Sequence, residues 1–175
     1  MIDTILPAEL VDAARRVVEA NRALGRRFAL AESCTGGLVA AAVTEIPGSS
    51  EVLLGGFVTY SNESKHALVK VSNDVLDTFG AVSVATAWQM AQGALEATDA
   101  DLAVAITGIA GPAGGSEKKP VGTVVFARAE RDADPSDVVA DRKEFGDLGR
   151  GGVRLQAALC ALELLMPRES DVPTP

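Results

Sequence analysis

The chain has one histidine, His66, and two cysteines, Cys34 and Cys160, among its 175 residues. A single imidazole excludes metal centres built on several histidines, and two cysteines supply neither a disulfide framework nor a zinc-ligand spacing. Basic residues are scarce too: 16 Lys and Arg against 24 Asp and Glu leave a net charge of −8. That balance argues against a nucleic-acid partner, whose binding rests on clustered cations. No apolar run reaches the roughly 18 residues of a membrane span, so no membrane partner is expected. Met1 to Pro7 lacks a basic segment and a cleavage site, so the chain reads as cytoplasmic, without a signal peptide. Three signatures of nucleotide and hydrolase sites are also missing. There is no Gly-Lys dipeptide for a Walker A loop, no G-x-G-x-x-G and no G-x-S-x-G.

What is present suits a globular domain. Hydrophobic residues make up 47% against 23% charged, and the length fits one domain with a buried core. The chain is organised around Phe28-Ala-Leu-Ala-Glu-Ser33-Cys34-Thr35-Gly36-Gly37-Leu38. An apolar run ends in small polar residues and a Gly pair, then gives way to Leu38-Val-Ala-Ala-Ala-Val43. This predicts a buried strand, a tight turn and a helix starting near Thr35, with backbone N–H groups aimed beside Ser33.

The flanks are set by periodicity. Pro7 to Leu24 carries apolar residues at helical spacing, broken by Asn21, and closes at Gly25. After a Pro47-Gly48 turn, Val52 to Tyr60 reads as a strand whose Gly55-Gly56 pair marks a bulge or a close approach. Ser61 or Asn62 caps a short helix, Asn73 to Phe79 forms another, and Ser83 caps a longer one over Val84 to Ala97. Val84, Ala87, Trp88, Ala91, Ala94 and Leu95 form the core face of that last helix. Leu102 to Ile106 is a strand buried on both faces, succeeded by a long Gly/Pro loop from Thr107 to Pro120. Two more strands, Val121–Ala127 and Val138–Phe145, lie either side of a turn at 132–137, and a C-terminal helix spans Val153–Met166. The expected architecture is one domain over residues 1–166, a three-layer α/β/α arrangement on a mixed, mostly parallel sheet of about five strands. Residues 167–175 read as a disordered tail.

Ser33 at a strand–helix junction has the logic of a nucleophile, and a serine hydroxyl needs a base. Lys65 comes after the second strand, at the same sheet edge if the two strands are parallel neighbours. A lysine acts as a base only where burial lowers its pKa, and on spacing alone an isolated lysine reads as a solvated surface residue. Cys34 is a rival nucleophile at a helix start, with His66 as its only available partner, or simply a packing residue. The Gly-rich loop from Gly108 suits an anion, and Arg150 suits phosphate or carboxylate; an exposed arginine at a helix start is the plainer account.

Together these stretches resemble the C-terminal domain of the CinA competence/damage-inducible proteins. The matching motifs are Ala31-Glu-Ser-Cys-Thr-Gly-Gly37, Pro47-Gly-Ser-Ser50, Gly56-Phe-Val-Thr-Tyr-Ser-Asn-Glu-Ser-Lys65, Thr107-Gly-Ile-Ala-Gly-Pro112 and Lys119-Pro-Val-Gly-Thr123. The resemblance implies a three-layer α/β/α fold and an amidohydrolase that converts nicotinamide mononucleotide (NMN) to the acid and ammonia, with no cofactor and no metal. It assigns Ser33 as nucleophile, Lys65 as general base and Tyr60 as the lysine's hydroxyl partner. Ser50, Thr107 and Arg150 match substrate-contacting positions. Thr35, Gly36, Gly37 and Gly108 are the candidate backbone donors around the substrate. Where the family reads F-x-G-D-R, this chain has Phe145-Gly-Asp-Leu-Gly-Arg150, so Arg150 and Arg154 compete for that position. The alternative function is a non-catalytic nucleotide-binding or regulatory module. A mean hydropathy of +0.19 is compatible with a homo-oligomer.

Overall fold

A computed structural model describes residues 4–134, 137–168 and 171. Its centre is a five-stranded sheet in the order β2-β1-β3-β4-β5, built from β1 (Phe28–Glu32), β2 (Leu53–Val58), β3 (Leu102–Gly108), β4 (Thr123–Glu130) and β5 (Val139–Glu144). β1 pairs in parallel with both β2 and β3, whereas β4 runs antiparallel to β3 and to β5. Four strands therefore share one direction and only β4 opposes them, so the parallel majority holds for direction although the pairings divide evenly. The helix-free succession from β3 to β5 requires the two antiparallel joins.

Side-chain size sorts the two faces. Phe28, Leu30, Leu102, Val104, Ile106, Val124 and Phe126 point to the layer of α1 (Ala8–Ala23), α2 (Leu38–Thr44) and α6 (Gly149–Leu165). The alternate residues Ala29, Ala31, Ala103, Ala105, Ala127 and Ala129 face α3 (Asn62–Val69), α4 (Asn73–Phe79) and α5 (Val84–Glu96). Large residues on the first face fill the space under three helices, each contributing roughly 1.5–3 kcal/mol when fully buried. Alanines on the other let α5 approach the sheet closely. α5 is in turn met by α3 at Gly93, where any Cβ would overlap the Val69 carbonyl.

Several boundaries depart from the sequence reading. α2 begins at Leu38 rather than near Thr35, because Gly36 and Gly37 take positive φ angles of 61° and 92° that helical geometry excludes. α6 begins at Gly149, so Arg150 lies in its first turn instead of preceding it. On α5 Val84 is exposed and Trp88 half-buried, and the core face runs through Met90, Ala91 and Ala94. Asn21 is buried: its amide donates to Val17 O (2.9 Å) and Leu165 O (3.0 Å), tying α1 to the end of α6. Of the turn at 132–137, Pro135 and Ser136 lie outside the described residues. So do 169–170 and 172–175 of the tail, while Asp171 pairs with Arg26 and Arg128.

Candidate active site

The β1–β2 and β1–β3 registers align Glu32 with Val58 and with Ile106. The next residues along each strand, Ser33, Thr59-Tyr60 and Thr107, therefore emerge at one sheet edge. Here a cleft of about 230 Å³ opens, lined by Ser33, Cys34, Tyr60, Asn62, Lys65, Ala81, Val82, Thr107, Gly108, Ala110 and Arg150.

At its floor Lys65 Nζ lies 3.1 Å from Ser33 Oγ and donates to Thr59 O at 2.9 Å. α3 sets that reach. Ser61 is its N-cap, and Ser61 and Ser64 close a capping box, which fixes the first turn and turns Lys65 inward. Lys65 is only 1% exposed. Removal from water disfavours its ammonium and holds its pKa below the ordinary lysine value. The solvated-surface reading of Lys65 is thereby overturned.

Cys34 is the converse case. Burial is the main influence on its thiol and pushes the pKa up to about 11. The helix start that would have lowered it lies four residues further on. His66 is not a partner either, since its Nδ1 sits 2.8 Å from Val71 O. The thiolate reading fails on both counts.

The anion-binding helix start fails for a reason that only the fold reveals. Glu32, 1% exposed, folds its carboxylate over that terminus and accepts the N–H groups of Gly37 (3.1 Å), Val39 (3.2 Å) and Ala40 (2.9 Å). Gly36 N–H goes to Ser33 O. Thr35 is fully buried and outside the cleft, its carbonyl taking a bond from Arg154 at 2.9 Å. Thr35, Gly36 and Gly37 thus shape the turn and do not line the cleft. Among the described residues, the N–H groups of Cys34 and Thr35 have no partner in another residue.

The rim is polar. Arg150 donates to Tyr60 Oη at 2.8 Å and to Gly111 O at 2.9 Å, bridging the strand β2 exit and the Gly-rich loop. Tyr60 Oη thus meets Arg150, and no bond to Lys65 forms. Thr107 Oγ1 donates to Ala81 O at 2.7 Å. The loop is fastened further by Lys119 Nζ on Phe79 O (2.9 Å) and Arg142 on Lys118 O (2.8 Å). Ser50 is exposed in a short 3-10 turn (Ser49–Glu51) before β2, at the opposite end of that strand, and takes no part in the cleft. Among the described residues no group of three or more His, Cys, Asp or Glu side chains could hold a metal ion. Asn62, Ala81, Val82 and Ala110 line the cleft without having been legible as site residues in the sequence. Asn62 and Ala110 had a signal, each being inside a matched motif, but the residue types themselves point to a helix cap and to loop packing.

The CinA C-terminal domain pattern matches residues 11–168. The chain belongs to this family. It is 50% identical over 145 residues to nicotinamide-nucleotide amidohydrolase PncC of Enterobacter agglomerans, covering 82% of this chain and 85% of that protein. Against the PncC of Escherichia coli K12 the identity is 47% over 158 residues, with 90% and 93% covered. Among solved structures, the competence/damage-inducible protein CihA from Agrobacterium tumefaciens superposes with a TM-score of 0.88 at 48% identity, covering 93% of this chain and 96% of that one. A CinA-superfamily protein from Klebsiella pneumoniae gives 0.82 at 35% identity, with 89% and 94% covered. In this CinA domain the irregular Phe145-to-Arg150 spacing still brings Arg150, and not Arg154, to the cleft.

Proposed function

We propose that this CinA-domain protein hydrolyses the carboxamide of NMN to nicotinate mononucleotide and ammonia, with Ser33 as nucleophile and Lys65 as general base. The observation that carries the reading is the buried lysine amine 3.1 Å from a serine hydroxyl at the floor of a cleft. The amidohydrolase names of relatives at 47–50% identity support the reaction class.

A neutral Lys65 donates one N–H to Thr59 O, which turns its lone pair toward Ser33 Oγ–H. As Oγ attacks the carboxamide carbon, that proton passes to Nζ. The oxyanion is met by backbone donors at Cys34, Gly108 or Ala110, since those at Gly36, Gly37 and Ile109 are already engaged. Collapse breaks the C–N bond, and the lysine ammonium returns the proton to the leaving nitrogen, releasing ammonia. Water then attacks the acyl-serine ester and gives a proton to Lys65; the lysine ammonium returns it to Ser33 Oγ as the ester bond breaks, which releases the acid and restores the neutral amine. Arg150 is the cation placed for the nucleotide phosphate at the cleft rim, and Tyr60 holds its guanidinium there.

The test is ammonia release from NMN by the wild type beside Ser33→Ala. Turnover that disappears in the variant supports the assignment. Turnover in both keeps an enzyme and removes Ser33 from its role; none in either, from folded protein that NMN still stabilises, favours a binding module.

A further inference from the structure

We infer that Glu32 is a positioning residue for the reaction, acting through the Ser33–Gly37 turn; the inference rests on Ser33 being the nucleophile. Glu32 immediately precedes Ser33 and is buried, and no Lys or Arg lies within ion-pair distance of its carboxylate among the described residues. A bare buried carboxylate is costly unless its oxygens are fully engaged. Here both are: Oε2 accepts from Gly37 and Val39, and Oε1 from Ala40. These are three of the N–H groups that α2 cannot satisfy internally, and the positive end of the helix stabilises the charge.

The link is mechanical because Glu32 is held from the other side as well. Its own carbonyl accepts Thr59 N–H (2.8 Å) and Thr59 Oγ1–H (3.3 Å), and the Thr59 carbonyl is the one that accepts Lys65 Nζ. Glu32 is therefore the point at which the serine's turn and the lysine's acceptor are fixed relative to each other. Its side chain clamps the turn that leads from Ser33 into α2, and its backbone clamps the strand exit that holds Lys65. A shift of about 1 Å in the Ser33–Lys65 pair is enough to cost on the order of a hundredfold in rate. Glutamine cannot replace it. With one acceptor oxygen in place of two, it turns an NH₂ toward either Ala40 N–H or the Gly37 and Val39 pair.

Glu32→Gln, Glu32→Asp and Ser33→Ala, assayed with NMN and probed by amide hydrogen exchange, test this. The expected result for Glu32→Gln is a kcat at least about 30-fold lower with KM within threefold, and faster exchange confined to residues 37–40. Glu32→Asp, which keeps the charge one methylene short, covers the case in which the glutamine variant does not fold; its kcat should fall in the same way. Wild-type kcat in either folded variant overturns the proposal, as does a KM rise matching any loss of kcat. Retained turnover in Ser33→Ala would defeat the nucleophile assignment separately. The exchange pattern would then still decide whether Glu32 holds the turn.

Discussion

At the scale of single residues, burial separates the proposed Ser33–Lys65 pair from the rival thiol beside it. The same dry floor that favours a neutral amine at Lys65 also favours a neutral thiol at Cys34, which suits the first to its proposed role as base and leaves the second inert. With a thiol pKa of about 11, only about one Cys34 in a thousand is ionised at pH 8, so alkylation there should be slow. Cys34→Ala should keep turnover within a few-fold. As the proposed base, Lys65 acts only when deprotonated, so kcat should rise with pH through a pKa below the usual lysine value and level off above it. Lys65→Arg, permanently protonated, should lose about a thousandfold or more at every pH. The lowered pKa also has a stability sign. Between the native pKa and the ordinary value near 10.5 the unfolded chain binds the extra proton, so Lys65 makes the fold more stable as pH rises through that window.

At the scale of elements, the sequence reveals the helices better than it reveals what their ends do. Periodicity and caps are enough for α1, α4 and α5, with Ser72 and Ser83 observed as side-chain caps of the last two. The start of α2 is not legible because a Thr-Gly-Gly turn looks like a helix entrance until the left-handed φ angles are known. Glu32 escapes notice because a lone carboxylate at the end of an apolar strand looks like a boundary marker. Its three acceptor bonds depend on a fold that brings residues 37–40 back over it. Lys65 cannot be recognised as buried from spacing, since its burial depends on α3 packing against α5. That packing is testable. Gly93→Ala puts a methyl group into the Val69 carbonyl and should cost about 1–3 kcal/mol by forcing α3 away. Lys65 moves with it, so kcat should drop although Gly93 touches neither serine nor substrate. Ser61→Ala removes the α3 cap and should lower stability by about 1 kcal/mol, read as a fall in Tm.

At the scale of the whole molecule, the candidate site and the anchoring of α6 occupy opposite ends of the sheet. The cleft lies where β1, β2 and β3 end. At the other end Arg128 of β4, 2% exposed, donates to Leu164 O (2.8 Å) and Met166 O (2.9 Å), and it pairs with Glu130 and Asp171. Burial alone would raise the Asp171 carboxyl pKa. The Arg168 N–H and the Arg26 and Arg128 guanidinium groups outweigh that and lower it. Its contribution to stability is thus present at neutral pH and is lost as acid carries the pH down through the lowered pKa. Asp171→Asn should reduce stability by about 1–3 kcal/mol and leave ammonia release unchanged. α6 spans the whole distance, with Arg150 in its first turn and Leu165 at its end, roughly 22 Å away at 1.5 Å per residue. A tether, bead or fused partner attached beyond that last turn would hang from the end remote from Ser33. The protein could then be fixed to a support by its C-terminal side with the cleft facing the solution.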